Sequence, residues 1–164
     1  MERTLLMLRH GKSLHGLEYG SDYDRPLSPR GEKAARRMGR LLKERGLIPD
    51  LIIASPANRA LSTARLVQAE VGDVELVEDE GLYTASVDDI YELLQRQDDA
   101  HACLLIVGHN FVFEEFADDV SGREDVTIKT CSLAVLHCDI DSWSELTSNR
   151  AKLADLVHPR DLPD

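Results

Sequence analysis

The residues of this chain best placed to do chemistry are two histidines and two arginines set at the ends of apolar runs. Arg9-His10-Gly11 follows Leu5-Leu6-Met7-Leu8, and Gly108-His109-Asn110 follows Cys103-Leu104-Leu105-Ile106-Val107. Arg59 comes just after Ser55-Pro56, where the apolar run Leu51-Ile52-Ile53-Ala54 gives way to helical spacing. Taken singly, each has an ordinary reading: a buried histidine, a histidine capping a helix, an arginine on a wet helix face. Taken together they suit one reaction. A guanidinium matches phosphate oxygens two at a time, and glycine lets backbone approach a ligand closely. Phosphoryl transfer asks mainly for positioning and charge stabilisation. The pattern therefore points to His10 as a nucleophile attacking phosphorus in line. Arg9 and Arg59 would hold the anion, with His109 on its equatorial oxygens.

Such a site needs strands that end side by side. Residues 4–8, 51–54 and 103–107 read as buried strands, with a weaker one at 74–77, and ligands in open α/β sheets bind at the carboxyl ends of strands. Gly11 to Arg25 is a polar loop long enough to be a lid or a rim. Ser28 as N-cap and Pro29 at the first helical position start a helix carrying Ala34, Met38, Leu41 and Leu42, and Gly46 stops it. Ser55-Pro56 opens a second helix with Ala57, Ala60, Leu61, Ala64 and Val67 on one face. Arg59 falls in its first turn, where the dipole disfavours a cation and favours an anion; a ligand explains it better than helix stability. Further helices are expected around Val87, Ile90, Tyr91 and Leu94, and around Phe113, Phe116, Ala117 and Val120 up to Ser121-Gly122. Late strands are expected at 127–129, 132–137 and around 143–146, then a short helical turn and a Pro-containing tail from Ala151. This alternation predicts one α/β domain over residues 1–164: a three-layer α/β/α sandwich with a largely parallel central sheet, antiparallel strands being possible at its edge.

Composition narrows the partners. The formal net charge of -11 argues against a general nucleic-acid binder. The charge is unevenly spread: residues 1–65 carry a net +6 and the remainder a net -17. Arg30, Lys33, Arg36, Arg37, Arg40 and Lys43 can be a wet helix face, or a positive front that draws in an anion. Cys103, Cys131 and Cys138 are an odd set without Cys-x-x-Cys spacing, which fits a reducing, cytoplasmic setting. Neither a signal-type segment nor a run of transmembrane length is seen, so no membrane association is expected. His15, His101, His137 and His158 lack zinc-type spacing, and no metal or cofactor is expected. A nucleotide P-loop is missing, and Ser13, Ser55 and Ser62 lack a Gly-x-Ser-x-Gly setting.

Three segments carry a resemblance: Leu8-Arg9-His10-Gly11-Lys12-Ser13, the run from Ser55 to Ala64, and Val107-Gly108-His109-Asn110. In that order and spacing they resemble the motifs of the histidine phosphatase, or phosphoglycerate-mutase-like, superfamily. The stretch Ser21 to Gly31, with Arg25-Pro26-Leu27 at its centre, further resembles the small SixA-type phosphohistidine phosphatases. The resemblance implies a metal-independent phosphatase working through a phosphohistidine intermediate on His10, with Arg9, Arg59 and His109 completing the phosphate pocket and Arg25 adding a contact. Larger members of the superfamily supply a proton donor, often Glu, from the segment before the second histidine. Glu80, in Asp79-Glu80-Gly81-Leu82-Tyr83, is the candidate, in a loose match.

The expected substrate is a phosphorylated protein, for instance a phosphohistidine signalling protein, and the rival is a small phosphate ester. A phosphoramidate nitrogen is protonated more readily than an alkoxide, so a missing donor leans towards P–N bonds. Two alternatives stand beside this reading: a small-molecule phosphomonoesterase with Glu80 as donor, and a catalytically weak phospho-binding module. A mutase is disfavoured because the segments that build a lid and sugar-phosphate specificity are missing.

Overall fold

The computed structural model describes residues 2–15 and 19–162. Residues 16–18, in the loop expected to form a lid or rim, fall outside them. Six strands, β1 (Glu2–Arg9), β2 (Leu51–Ala54), β3 (Glu75–Glu78), β4 (Cys103–Gly108), β5 (Leu133–Asp139) and β6 (Ala151–Val157), form one sheet in the order β3-β2-β4-β1-β5-β6. The pairs β3/β2, β2/β4 and β4/β1 are parallel, while β5 and β6 add antiparallel at one edge. Four helices cover it: α1 (Pro29–Glu44), α2 (Asn58–Val71), α3 (Val87–Gln95) and α4 (Val112–Ser121).

The unbroken apolar run of β1 has a simple cause. Leu6 and Leu8 pack into the core beneath α1 and α2, whereas Leu5 and Met7 pack into the other core, with Phe113 and Phe116 of α4. A strand buried on both faces has no wet side to alternate with. This is the three-layer α/β/α architecture with a largely parallel sheet that the sequence predicts.

β1 and β4 run side by side with Arg9 paired to Gly108. The residues that follow them, His10 and His109, therefore leave the sheet together. The loop after His10 is tied down by the start of α1. The Ser28 hydroxyl donates to the Lys12 carbonyl (2.9 Å) and accepts from the Gly31 amide (3.0 Å), and the Ser28 amide also donates to Lys12 O (2.8 Å). Gly31 lies so close that a β-carbon there would sit 2.2 Å from Lys12 O. The N-cap of α1 thus also fixes the chain just beyond the histidine.

Four expectations need correction. Residues 127–129 are not a strand: they run as irregular chain, and the Ile128 carbonyl takes hydrogen bonds from Arg9 and Asn110. Trp143–Glu145 is a 3₁₀ turn held by a capping box between Ser142 and Glu145. Ala151–Val157 is the edge strand β6, paired with β5 across an irregularity at Val135/Leu136; the short helical turn comes only at Pro159–Asp161. Within α1, Ala35 rather than Ala34 is fully buried.

Gly31→Ala is expected to destabilise the protein by about 1–3 kcal/mol, the usual cost of overpacking, and to weaken phosphate binding. Urea unfolding and a phosphate titration check this; an unchanged unfolding midpoint would show that the helix start and the His10 loop do not pack together.

Candidate active site

The His10 backbone is held from both neighbouring strands. Its amide donates to Gly108 O (3.0 Å), and its carbonyl accepts from the Cys131 amide (3.0 Å). The ring is then oriented from within, because His10 Nδ1 lies 2.7 Å from Gly11 O. A carbonyl can only accept, so Nδ1 carries the proton and the lone pair belongs to Nε2. Burial, seconded by Arg59, Arg9 and Arg25, pushes the imidazole down to about 4 even though the Gly11 bond works the other way. His10 is therefore neutral at pH 7, as a nucleophile must be.

His109 stands beside it, with ring centroids 5.2 Å apart. Burial, followed by His10 and Arg59, lowers it to about 3. Its Nε2 is 2.8 Å from Ser55 Oγ, which accepts from the Ala57 amide (3.3 Å). The assignment that satisfies this chain has the Ser55 hydroxyl donating to Nε2. Nδ1–H is then left as a buried donor without a protein partner.

Arg59, the second residue of α2, is buried, and its guanidinium turns to the loop after β1: Nη1 donates to Asp22 O (2.8 Å) and Nη2 to Asp22 Oδ2 (3.0 Å). The Tyr83 hydroxyl donates to the same carboxylate oxygen (2.9 Å), and Arg25 pairs with Oδ1 at 3.1 Å. Partial burial acts to raise Asp22, but the Tyr83 hydroxyl and the Arg59 guanidinium outweigh it and hold the carboxyl below its ordinary value. Asp22 is thus an ionised clamp and cannot serve as an acid. Thr63 joins the two motifs, accepting from the Gly11 amide (3.0 Å) and donating to Arg59 O (2.7 Å).

Arg9 is braced from the far side. Its Nη1 donates to Ile128 O (3.0 Å), as does the Asn110 side-chain amide (2.9 Å), while the Ile128 amide donates to Glu114 Oε2 (2.7 Å). Arg9 Nε, Arg25 Nε and Arg59 Nε are buried without partners, like His109 Nδ1. Arg9, Arg25, Arg59 and His109 thus each keep one hydrogen-bond donor unspent beside His10.

The structure brings together Arg9, His10, Arg59 and His109, with Arg25 at the rim. Glu80 is apart from them in kind: it is exposed, at the head of a 3₁₀ turn, and the residue of that turn which reaches the site is Tyr83, whose ring lies 5.7 Å from that of His109. Sequence reasoning missed Asp22, Tyr83, Ser55 and Thr63 as site residues. For three of them a signal was at hand, since Asp22 lies in the segment around Arg25 and Ser55 and Thr63 in the run around Arg59.

The family model described as histidine phosphatase superfamily (branch 1) matches residues 5–101. An uncharacterized chloroplastic protein of Arabidopsis thaliana is 31% identical over 155 residues, covering 88% of this chain and 71% of that one. A 2,3-bisphosphoglycerate-dependent phosphoglycerate mutase of Thermobifida fusca is 45% identical over 71 residues; the match spans 42% of this chain and only 29% of the mutase. The protein histidine phosphatase SixA, in a structure complexed with tungstate, superposes with a TM-score of 0.83 at 20% identity, over 98% of this chain and 99% of that one, a likeness of fold.

The lowered His10 value has a direct consequence. In the free protein, NMR titration of the His10 ring is expected to show a midpoint near pH 4, because a depressed value keeps the group unprotonated as pH falls through the ordinary histidine range. A midpoint near 6.5 would contradict the buried, positively caged geometry.

Proposed function

The chain belongs to the histidine phosphatase superfamily, and from that premise we propose that it hydrolyses phosphohistidine on a protein through a phosphoryl group carried on His10. The observation that carries the reading is the Nδ1–H bond from His10 to Gly11 O, made inside a cage of Arg9, Arg59 and His109. It leaves a lone pair on Nε2 facing donors suited to a phosphate.

In the first step Nε2 attacks phosphorus in line. The Nε2–P bond forms, the P–N bond of the substrate breaks, and its electron pair stays on the departing imidazole nitrogen, which takes up a proton. The phosphorylated His10 ring gains positive charge, which Gly11 O at Nδ1–H stabilises. The guanidiniums and His109 Nδ1–H hold the phosphoryl oxygens throughout, acting most strongly where charge spreads over them. Water then attacks phosphorus from the opposite side, the P–Nε2 bond breaks, and inorganic phosphate leaves. The arginine cage supplies the charge stabilisation that other phosphatases draw from a metal ion, which supports a metal-independent route.

Choice of bond follows from the proton inventory. Asp22 is held ionised by Tyr83 and Arg59, and Glu80 is solvent-exposed at the head of its 3₁₀ turn. An alkoxide leaving group would lack a ready acid, whereas a phosphohistidine nitrogen is basic enough to draw its proton from solvent. The rival within the superfamily is a small-molecule phosphomonoesterase using Glu80.

Turnover of a phosphohistidine protein, phosphoramidate and sugar phosphates should be compared in the wild type, His10→Ala and Glu80→Gln. Expected are preference for the P–N substrates, no turnover above background in His10→Ala, and near-unchanged phosphoramidate hydrolysis in Glu80→Gln. Preference for sugar phosphates, with a loss of about 10²-fold or more in Glu80→Gln, would select the esterase reading. Activity is expected to survive EDTA; loss restored by added metal would contradict the metal-free route.

A further inference from the structure

A group of six positive side chains lies beside the catalytic site and is not used by the chemistry above. A cavity of about 430 Å³ opens between the first turns of α1, residues 129–132 and the turn at 158–160. Lys12, Arg30, Lys33, Arg37, Lys129 and Arg160 line it, with no aspartate or glutamate among its lining residues. On a chain of net charge -11 this is a local reversal of sign.

Its walls are continuous with the catalytic machinery. Lys12 follows His10 by two residues, Lys129 follows the Ile128 whose carbonyl holds Arg9, and the Cys131 amide donates to His10 O. Whatever sits in the cavity is therefore next to whatever presents a phosphoryl group to His10. The cations are also drawn out in a line. Arg30, Lys33 and Arg37 share one face of α1 over about 10 Å of helix rise, a length matched by about three residues of extended chain. Ala34 and Pro159 add apolar wall between the charges.

We propose that this cavity docks an acidic, extended segment of the phosphoprotein substrate next to its phosphohistidine. The net charge of -11 disfavours such a partner over the chain as a whole, so the patch sets orientation as well as encounter rate. The inference rests on the proposed function for what is delivered to His10, but the docking itself is measurable without turnover. Nucleic acid, the other common polyanion, is disfavoured by the overall charge.

The test uses fluorescein-labelled, unphosphorylated Glu-rich and Ser-rich peptides, read by anisotropy against the wild type, Arg30→Gln/Lys129→Gln and Arg30→Glu/Lys129→Glu. Expected are binding of the Glu-rich peptide alone, weakening with added salt, and a graded loss reaching tenfold or more in the charge-reversed variant. With phosphohistidine in the same peptides, KM for the Glu-flanked substrate should rise in parallel while kcat is kept. Phosphoramidate turnover, which reads the catalytic site alone, should stay within twofold. If it fails in the wild type, the proposed function falls while the anisotropy result still decides the docking. Equal binding of both peptides, indifference to the substitutions, or tight binding of inorganic tripolyphosphate without any peptide binding would overturn the proposal, the last in favour of a small-molecule site.

Discussion

One hydrogen bond, from His10 Nδ1–H to the carbonyl of the next residue, sets the terms for the rest of the site. It decides which nitrogen is free, and because the acceptor is backbone it holds for as long as the turn after β1 keeps its shape. That turn is secured by the N-cap of α1 on one side and by Gly108 and Cys131 on the other. Burying a neutral imidazole is tolerable, whereas burying a protonated one among three guanidiniums is not. Burial first, and then the cage that suits a dianion, keeps the nucleophile unprotonated.

The cage is assembled from distant parts of the chain. Thr63 ties the first helix turn of Arg59 to Gly11, and Asp22 gathers Arg59, Arg25 and Tyr83 onto one carboxylate. Arg9 faces the opposite way and is braced by irregular chain at Ile128. A parallel pair such as β1 and β4 brings its two following turns to one end by geometry alone, so the two histidines meet without any contact designed between them. The arginines need partners to be aimed.

What the sequence made legible follows this division. His10, Arg59 and His109 were readable because a strand must end and a helix must begin where they stand, and because their types are odd for such places. The α1 start was readable from Ser28 and Pro29. Tyr83 was not, since its bond to Asp22 spans 61 residues of chain; Asp22 lies in the segment around Arg25, but its partner Arg59 is 37 residues away. β6 was misread because Leu153, Ala154, Leu156 and Val157 do not alternate cleanly, and an edge strand with an irregular register owes its form to its partner β5. Residues 127–129 looked strand-like by composition, but their backbone groups at Ile128 are taken by Arg9, Asn110 and Glu114. The capping box at Ser142–Glu145 was a readable signal against a strand there.

The proposed mechanism requires the phosphoryl group to rest on His10 between its two steps. Rapid mixing with a phosphohistidine peptide, an alkaline quench and mass-spectrometric mapping of the phosphoenzyme measures this directly. One phosphoryl group is expected on His10, attached at Nε2, stable in base and lost in acid. A phosphoryl group on any other residue, or steady turnover with no phosphoenzyme at any time after mixing, would contradict it.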